Sequence, residues 1–382
     1  MARQWQAEYS LILTTDTGSR LDDPFTPIGS GFTATKKANT ISPCMVELPH
    51  DSFFRRFTAA YPREYMLQVH RKPVGGTMKL FNTYLLTKYR RQTTPTPKGT
   101  AFLYGFDMNL LLYRRIVAGM AGSTETRLTE EADDMMKTLL TNALSDANDP
   151  TPTAGTRAWS TLTVGEKATK GPSLTLDLEY EKLLTFSGGG AFKKIVNASR
   201  EAGTDLFFEV QPNEVLQNSI NFIFNTFTTQ IGRDLTDEVL FSIANSTIIN
   251  AFQEYDYSEA ENYIYAGGKG EDADRKIEQS YEAADYLRGT YTRSEGFLDA
   301  PSIDDDSLQN AADAELYDKR RTIKIGGQIV DTPQLRLGRD FNFGDLVTAK
   351  IYGDQYDALI NSVTVGMKDG KELVQIGAEY RL

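Results

Sequence analysis

The residues best placed for chemistry in this 382-residue chain are few, and each has a plainer reading. The stretch YAGGKGEDADRK, residues 265 to 276, sets Gly267, Gly268 and Gly270 around Lys269, with Arg275 behind them. Glycines beside a lysine can cradle a phosphate, but a phosphate loop ends in Gly-Lys-Ser/Thr and runs straight into a helix. Here Glu271, Asp272 and Asp274 follow, which repel phosphate, and then the strand-like KIEQSY. The stretch therefore reads as a turn that uses glycine's tolerance of positive φ. His50-Asp51 has the composition of an acid–base pair, yet no Gly-x-Ser-x-Gly elbow supplies a nucleophile, so a structural histidine is expected. His70 lies mid-strand and reads as a surface or barrel-face contact. Asp304, Asp305 and Asp306 lack the alternation, central glycine and closing glutamate of a calcium loop and read as helix capping. The other carboxylates are scattered, with no pair spaced as a glycosidase acid and nucleophile. No catalytic residue, metal or cofactor is expected, and the chain reads as a non-enzyme.

Two arginine pairs stand in strand-like stretches, Arg90-Arg91 in KYRRQ and Arg114-Arg115 in YRRIV. They are candidates for contact with an acidic partner surface, and the plainer reading is a solvated strand face. The single cysteine, Cys44, excludes an intrachain disulfide and a multi-thiolate zinc site, and reads as a small apolar residue. Residues 1–150 carry 18 basic against 15 acidic side chains, so the net charge of −11 arises beyond them, where the balance is −14. Such a surface repels nucleic acid, and can also keep a passing polyanion from sticking. The opening MARQWQAEYS has no apolar core of signal-peptide length and no run approaches the ~20 residues of a membrane span, so a protein made and kept, or assembled, in a cytoplasm is expected.

The elements that must position these residues are mostly strands. EYSLILTT, YMLQVHRK and MKLFNTYLLTKYR alternate and are joined by local turns, Gly75-Gly76 among them, and GTAFLYGFDMNLLLYRRIV closes an antiparallel barrel or sandwich over residues 1–117. In TEEADDMMKTLLTNALSD the apolar positions from Ala132 to Leu144 take helical spacing, with Thr129 as the expected cap. DANDPTPTAGT then reads as an exposed loop or small Pro/Thr/Gly-rich insertion within residues 118–186, a helix-containing α/β domain. Residues 187–245 read as a helix over Phe192 to Ala202 followed by a hairpin of DLFFEV and SINFIFNTFTT, turning at Gln-Pro-Asn-Glu. Strands return over residues 246–382, interrupted by a helix at 304–321 and closed by a meander with hairpin signals at Gly353-Asp354 and Asp369-Gly370.

Several stretches, in order, resemble the tail-hub proteins of long-tailed bacteriophages: REYMLQVHRKPVGG, GFDMNLLLYRRIVA, ADDMMKTLL, GRDLT, ENYIYAGGKGEDADR, RSEGFLDA and DFNFGDLVTAKIYG. The resemblance implies a β-rich α+β fold, with two tube-type antiparallel β-barrel domains and smaller α/β domains between and beside them, similar to contractile-tail baseplate hubs. It implies a homotrimer whose six barrels seat on the sixfold tail tube or a distal-tail ring and hold a tip or fibre protein below, with genome DNA passing through the lumen without specific binding. Asn262, Gly267, Gly268, Gly270, Arg275, Gly344 and Asp345 are the family-motif positions, expected to shape turns. Some hubs carry a lytic domain after the hub; this chain ends at Leu382 on its last strand, and no such activity is expected. A second class stays open, a carbohydrate-binding or carbohydrate-active β-rich protein, because many tyrosines with Trp5 and Trp159 can supply sugar-stacking faces.

Overall fold

A computed structural model describes residues 6–21, 31–49, 65–92, 100–117, 127–146, 157–178, 180–216, 219–270, 274–301, 303, 308–329, 332 and 334–381. His50-Asp51, Trp5 and Asp304 to Asp306 lie outside the described residues. The chain divides into a larger unit, residues 1–250 with 327–382, and a smaller one, residues 251–326.

Six strands open the larger unit: β1 (Glu8–Thr15), β2 (Phe32–Lys37), β3 (Pro43–Pro49), β4 (Tyr65–Lys72), β5 (Lys79–Gln92) and β6 (Thr100–Asp107). Alternation alone suggests one wet face for β4, yet Met66, Leu67, Gln68 and Val69 are all buried, so this strand is covered on both sides. Cys44 on β3 is buried, and that burial pushes its thiol well above the ordinary range, leaving it an inert core residue. The short helix α1 (Leu110–Tyr113) follows β6, so Arg114 and Arg115 lie just past a helix rather than in a strand. The three leucines of α1 are buried, which makes a helical turn better there than strand alternation.

Next come β7 (Arg127–Glu131), α2 (Ala132–Ala143), β8 (Leu162–Val164), β9 (Ser173–Asp177), α3 (Ala191–Glu201), β10 (Leu206–Leu216), β11 (Ser219–Thr228) and β12 (Asp234–Ser242). Helical spacing puts Met135, Met136, Leu139 and Leu140 of α2 and Phe192, Ile195 and Val196 of α3 into one core with β10 and β11. Phe192 meets both Phe208 and Phe224 at ring-centroid distances of 5.3 Å, so helix packs on hairpin as its apolar spacing predicts. Two expectations fail here. Thr129 does not cap α2; it sits on β7, opposite Thr175 of β9 at 3.0 Å, because residues 127–131 are held in a ladder, and Glu131 precedes the helix instead. Gln-Pro-Asn-Glu does not turn the β10–β11 hairpin; Pro212 and Glu214 form a bulge within β10, while Leu216 pairs with Ser219.

The smaller unit begins in β13 (Ile248–Asp256), continues through β14 (Tyr263–Gly267), β15 (Ile277–Tyr281), α4 (Ala283–Tyr286), β16 (Glu295–Asp299) and α5 (Leu308–Asp318), and ends in β17 (Thr322–Ile329), which pairs with β13. The other strands form a sheet in the order β15-β14-β16, antiparallel then parallel. Leu308 and Ala312 of α5 pack with Ala266 and Ala300 against one face of it.

The larger unit ends in β18 (Leu346–Ile351), β19 (Asp354–Lys368) and β20 (Lys371–Arg381), with hairpins at the two turns read from sequence. The first half of β19, Asp354 to Leu359, pairs with β18, and its second half, Ser362 to Met367, pairs with β2, while β20 lines its opposite edge. Strands from the first region and from the closing meander thus form one ten-stranded sheet, β1-β4-β5-β6-β3-β2-β19-β18-β12 with β20 on β19. The β-rich α+β class holds, and the large sheet is curled like half a barrel.

Two asparagines fasten the helix-on-hairpin layer to this sheet. Asn39 donates to the Leu206 carbonyl and accepts the Phe208 N–H, and Asn109 accepts the Val210 N–H at 2.8 Å and donates to the Thr40 carbonyl. Side-chain amides thereby satisfy backbone groups along β10 that have no strand beside them. Lys36 on β2 also meets Glu209 on β10 at 2.6 Å. Close by, burial raises the Asp107 carboxyl from its ordinary 3.8 to about 7, against hydrogen bonding from Ser42, and its Oδ1 has no hydrogen-bond partner among the described residues. A carboxyl whose folded pKa is raised stabilises the fold fully below the unfolded value, and that contribution is lost as pH climbs through about 7. Asp107→Asn should remove this loss: between pH 5 and pH 8 the wild type should lose roughly 1 kcal/mol or more of urea-measured stability that the variant keeps. Parallel pH profiles would refute the assignment.

Candidate functional site

A buried polar cluster in the larger unit joins β1 and β4, at one end of the curled sheet, to β20. Arg71 on β4 donates from Nη2 to Glu372 Oε1 on β20 at 2.8 Å and from Nε to the Tyr9 hydroxyl of β1 at 3.0 Å, and its Nη1 reaches the Leu337 carbonyl. The Tyr9 hydroxyl donates to Glu372 Oε1 at 2.6 Å, and the Ala7 N–H to Oε2 at 2.9 Å. The Arg71 and Glu372 side chains are only 4% and 7% exposed. Burial drives the Tyr9 hydroxyl well above its ordinary range, so it stays a neutral donor. Neither Arg71 nor Glu372 stood out in sequence, since each is one charge among many on an alternating strand.

Arg71 also floors a cavity of about 190 Å³, whose walls include Lys36, Pro73, Lys79, Phe81 and Phe343. Two of its cations are already matched, Lys36 by Glu209 and Arg71 by Glu372. Among the described residues no group of three or more His, Cys, Asp or Glu side chains is placed to hold a metal ion. His70 faces Gln68 at 3.3 Å, and burial first, then Arg20, lowers its pKa.

The motif residues fall into three turns. Asp345, buried at 2% exposure, accepts the Arg233 N–H at 2.8 Å, the Asn342 N–H at 2.8 Å and the Arg233 guanidinium at 3.0 Å. Gly344 beside it has φ +87°, and a Cβ there would stand 2.6 Å from that of Ile231. Asn262, also buried, accepts the Ser294 N–H and donates to the Thr292 carbonyl and to Asp285, which holds the segment between α4 and β16. Gly267 ends β14, and Arg275 folds back over it, donating to the Gly267 and Gly268 carbonyls and pairing with Asp299. A side chain at 267 would strike that guanidinium at 2.6 Å, and one at 268 would meet Leu308 at 2.8 Å. Lys276 accepts from Gly268 and donates to Lys269, with Gly270 at the bend, so the loop is closed by its own backbone and a cation already fills the place a phosphate would need.

The arginine pairs separate. Arg90 and Arg91 are exposed near the end of β5, with Arg91 donating to Tyr89 at 2.7 Å. Arg115 stacks 3.6 Å from the centre of Trp159 and donates to the Arg157 carbonyl, so the Trp159 ring face is occupied by a guanidinium; Arg114 is half-buried.

The family model for Siphovirus ReqiPepy6 Gp37-like proteins matches residues 81–378. The chain belongs to this family. Its fold is also that of solved tail proteins. The 43 kDa tail protein of prophage MuSo2 from Shewanella oneidensis superposes with a TM-score of 0.60 at 9% identity, covering 97% of this chain and 98% of that one. The tail protein from Neisseria meningitidis MC58 gives 0.54 at 12% identity, with 97% of both chains covered. The Francisella PdpA-VgrG complex gives 0.54 at 9% identity over 99% of this chain and 55% of that one. No curated protein matches in sequence. The resemblance to phage tail proteins, read from short stretches, is therefore correct at the level of family and of a β-rich tail-protein fold. No helix among the described residues is long and apolar enough to cross a membrane.

Removing one partner of a buried ion pair strands the other. Arg71→Ala should lower urea-measured stability by about 3 kcal/mol or more, and Tyr9→Phe by about 1 kcal/mol. Equal effects, or none, would contradict a cluster centred on Arg71. Gly344→Ala should cost about 1–3 kcal/mol through its left-handed backbone and the Ile231 contact.

Proposed function

We propose that this chain is the tail hub of a bacteriophage: a homotrimer that joins the tail tube, or a distal-tail ring, to the tip or fibre proteins, and surrounds the path of the DNA. The observation that carries this reading is the end-to-end match to the MuSo2 prophage tail protein, which leaves no large segment of either chain unaccounted for. The division of β19 supports it further: one half extends the array of β1 to β6, the other the array of β18 and β12, and these two arrays are the natural candidates for the two tube-type segments that let three chains make a ring of six. On this reading the parts expected over residues 1–117, 118–186, 187–245 and 246–382 are the tube and intervening segments of one protomer, assembled in the host cytoplasm and carried in the virion tail. Arg90, Arg91, Arg114 and Arg115 are proposed partner contacts, with the exposed first pair the better placed.

Repulsion lets DNA pass. Of the net −11, residues 251–326 carry 18 acidic against 9 basic side chains, a net of −9. A reconstruction of the particles should show threefold rings with a central hole and no basic lining; a monomer that binds glycan, or a basic lumen, would overturn the proposal. Arg275→Ala should lower the melting temperature of the trimer by a few degrees, since it frees two carbonyls and Asp299. Unchanged melting and oligomeric state would remove Arg275 from the assembly.

A further inference from the structure

Among the described residues, the α5 core packs against one face of the β15-β14-β16 sheet. Ile264, Ala266, Gly296 and Leu298 alternate toward α5, which leaves Tyr263, Tyr265, Ile277, Tyr281 and Phe297 on the opposite face. Register places Tyr281 beside Tyr263, and Tyr265 beside Phe297. Tyr286 of α4 meets Tyr263 and Tyr281 edge-on and Tyr263 is buried, yet Ile277, Tyr281 and Phe297 stay 49%, 46% and 57% exposed.

The chemistry of this face is visible in what it already holds. The Arg293 guanidinium lies 3.9 Å from the centre of the Tyr263 ring, bonded to Glu295 at 2.6 Å and to the Tyr265 hydroxyl at 2.8 Å. Arg275 lies 5.4 Å from the Phe297 ring and pairs with Asp299. Each cation rests on a ring beside a carboxylate, the arrangement in which cation–π attraction and ion pairing add. Glu295, Phe297 and Asp299 supply the carboxylates and one ring of these pairs along β16.

From this face and the net −9 of residues 251–326 we infer that the open side of the β15-β14-β16 sheet docks a basic protein segment, one carrying Arg or Lys beside apolar side chains. Tyr, Phe and Arg are the residues that concentrate binding energy at protein interfaces, and the acidic field draws in a cationic partner while turning away nucleic acid and acidic glycans. The inference does not depend on the ring: it concerns the chain's own surface and is tested on the free chain.

The test is fluorescence anisotropy with the full chain and a blocked peptide of about eight residues alternating Arg with Leu, against a Glu/Leu peptide, single-stranded DNA and a neutral oligosaccharide. The Arg/Leu peptide should bind alone, weakening about tenfold or more between roughly 0.05 and 0.5 M salt. Tyr281→Ser with Phe297→Ser should weaken it about tenfold, whereas Glu259→Gln with Asp318→Asn, carboxylates outside the sheet, should cost less than about threefold. Equal losses would mean nonspecific charge attraction, and binding of the oligosaccharide or DNA instead would mean another class of ligand; either overturns the inference. Hydrogen exchange on the unaltered chain gives a second readout that needs no variant: protection should concentrate in 263–267, 277–281 and 295–299, and protection confined elsewhere rejects the site.

Discussion

The curl of the large sheet is tied by a buried group of charges, Arg71, Glu372 and the Tyr9 hydroxyl. They come from β4 and β1, at one end of the strand path, and from β20, which lies off that path on β19. A guanidinium and a carboxylate removed from water lose hydration worth several kcal/mol each, and their attraction repays this only when the geometry is good and the remaining donors are used. Here Arg71 also serves the Leu337 carbonyl, and Glu372 takes the Ala7 N–H. The gain over an apolar pair of the same size is small; the penalty for separating the partners is large. Such a cluster works by excluding alternatives: any curl that fails to bring β20 to β1 and β4 leaves a charge alone in the interior.

Local signals and long-range outcomes differ in how plainly they are written. The α2 and α3 helices were legible because apolar residues recur at helical spacing, and the closing hairpins because Asp-Gly and Gly-Asp sit between alternating runs. Thr129 and Gln-Pro-Asn-Glu are both locally good punctuation taken into ladders, Thr129 by β9 farther along the chain and Gln-Pro-Asn-Glu as a bulge against β11, the next strand. Asn39 and Asn109 gave no signal at all. An asparagine in a polar turn or before a leucine run looks like any other, and its task of completing the edge of β10 exists only once strands over a hundred residues apart have met.

The glycine-rich loop shows how one composition supports two chemistries. Its glycines are needed, but for Arg275 and Leu308 to approach rather than for a phosphate. What separates the readings is what fills the space over the backbone: here a guanidinium of the chain's own, already tied to Asp299 and two carbonyls, occupies the room a phosphate would need. The motif positions Asn262 and Asp345 behave alike, each spending its polar atoms on neighbouring backbone.

The placement of β19 has a consequence for the order of events at the ribosome. Thr35 on β2 and Thr364 on β19 share a hydrogen bond across 329 positions of sequence. Until residues 354–381 have been translated, β2 presents an open edge along the stretch that β19 will cover, and Arg71 is without Glu372. The sheet begun by β1 to β6 is therefore completed only by strands far later in the chain, a high-contact-order step with an interval of exposure. Shortening that interval, by speeding translation between β6 and β20 or by supplying a chaperone, is where the yield of soluble protein would be decided.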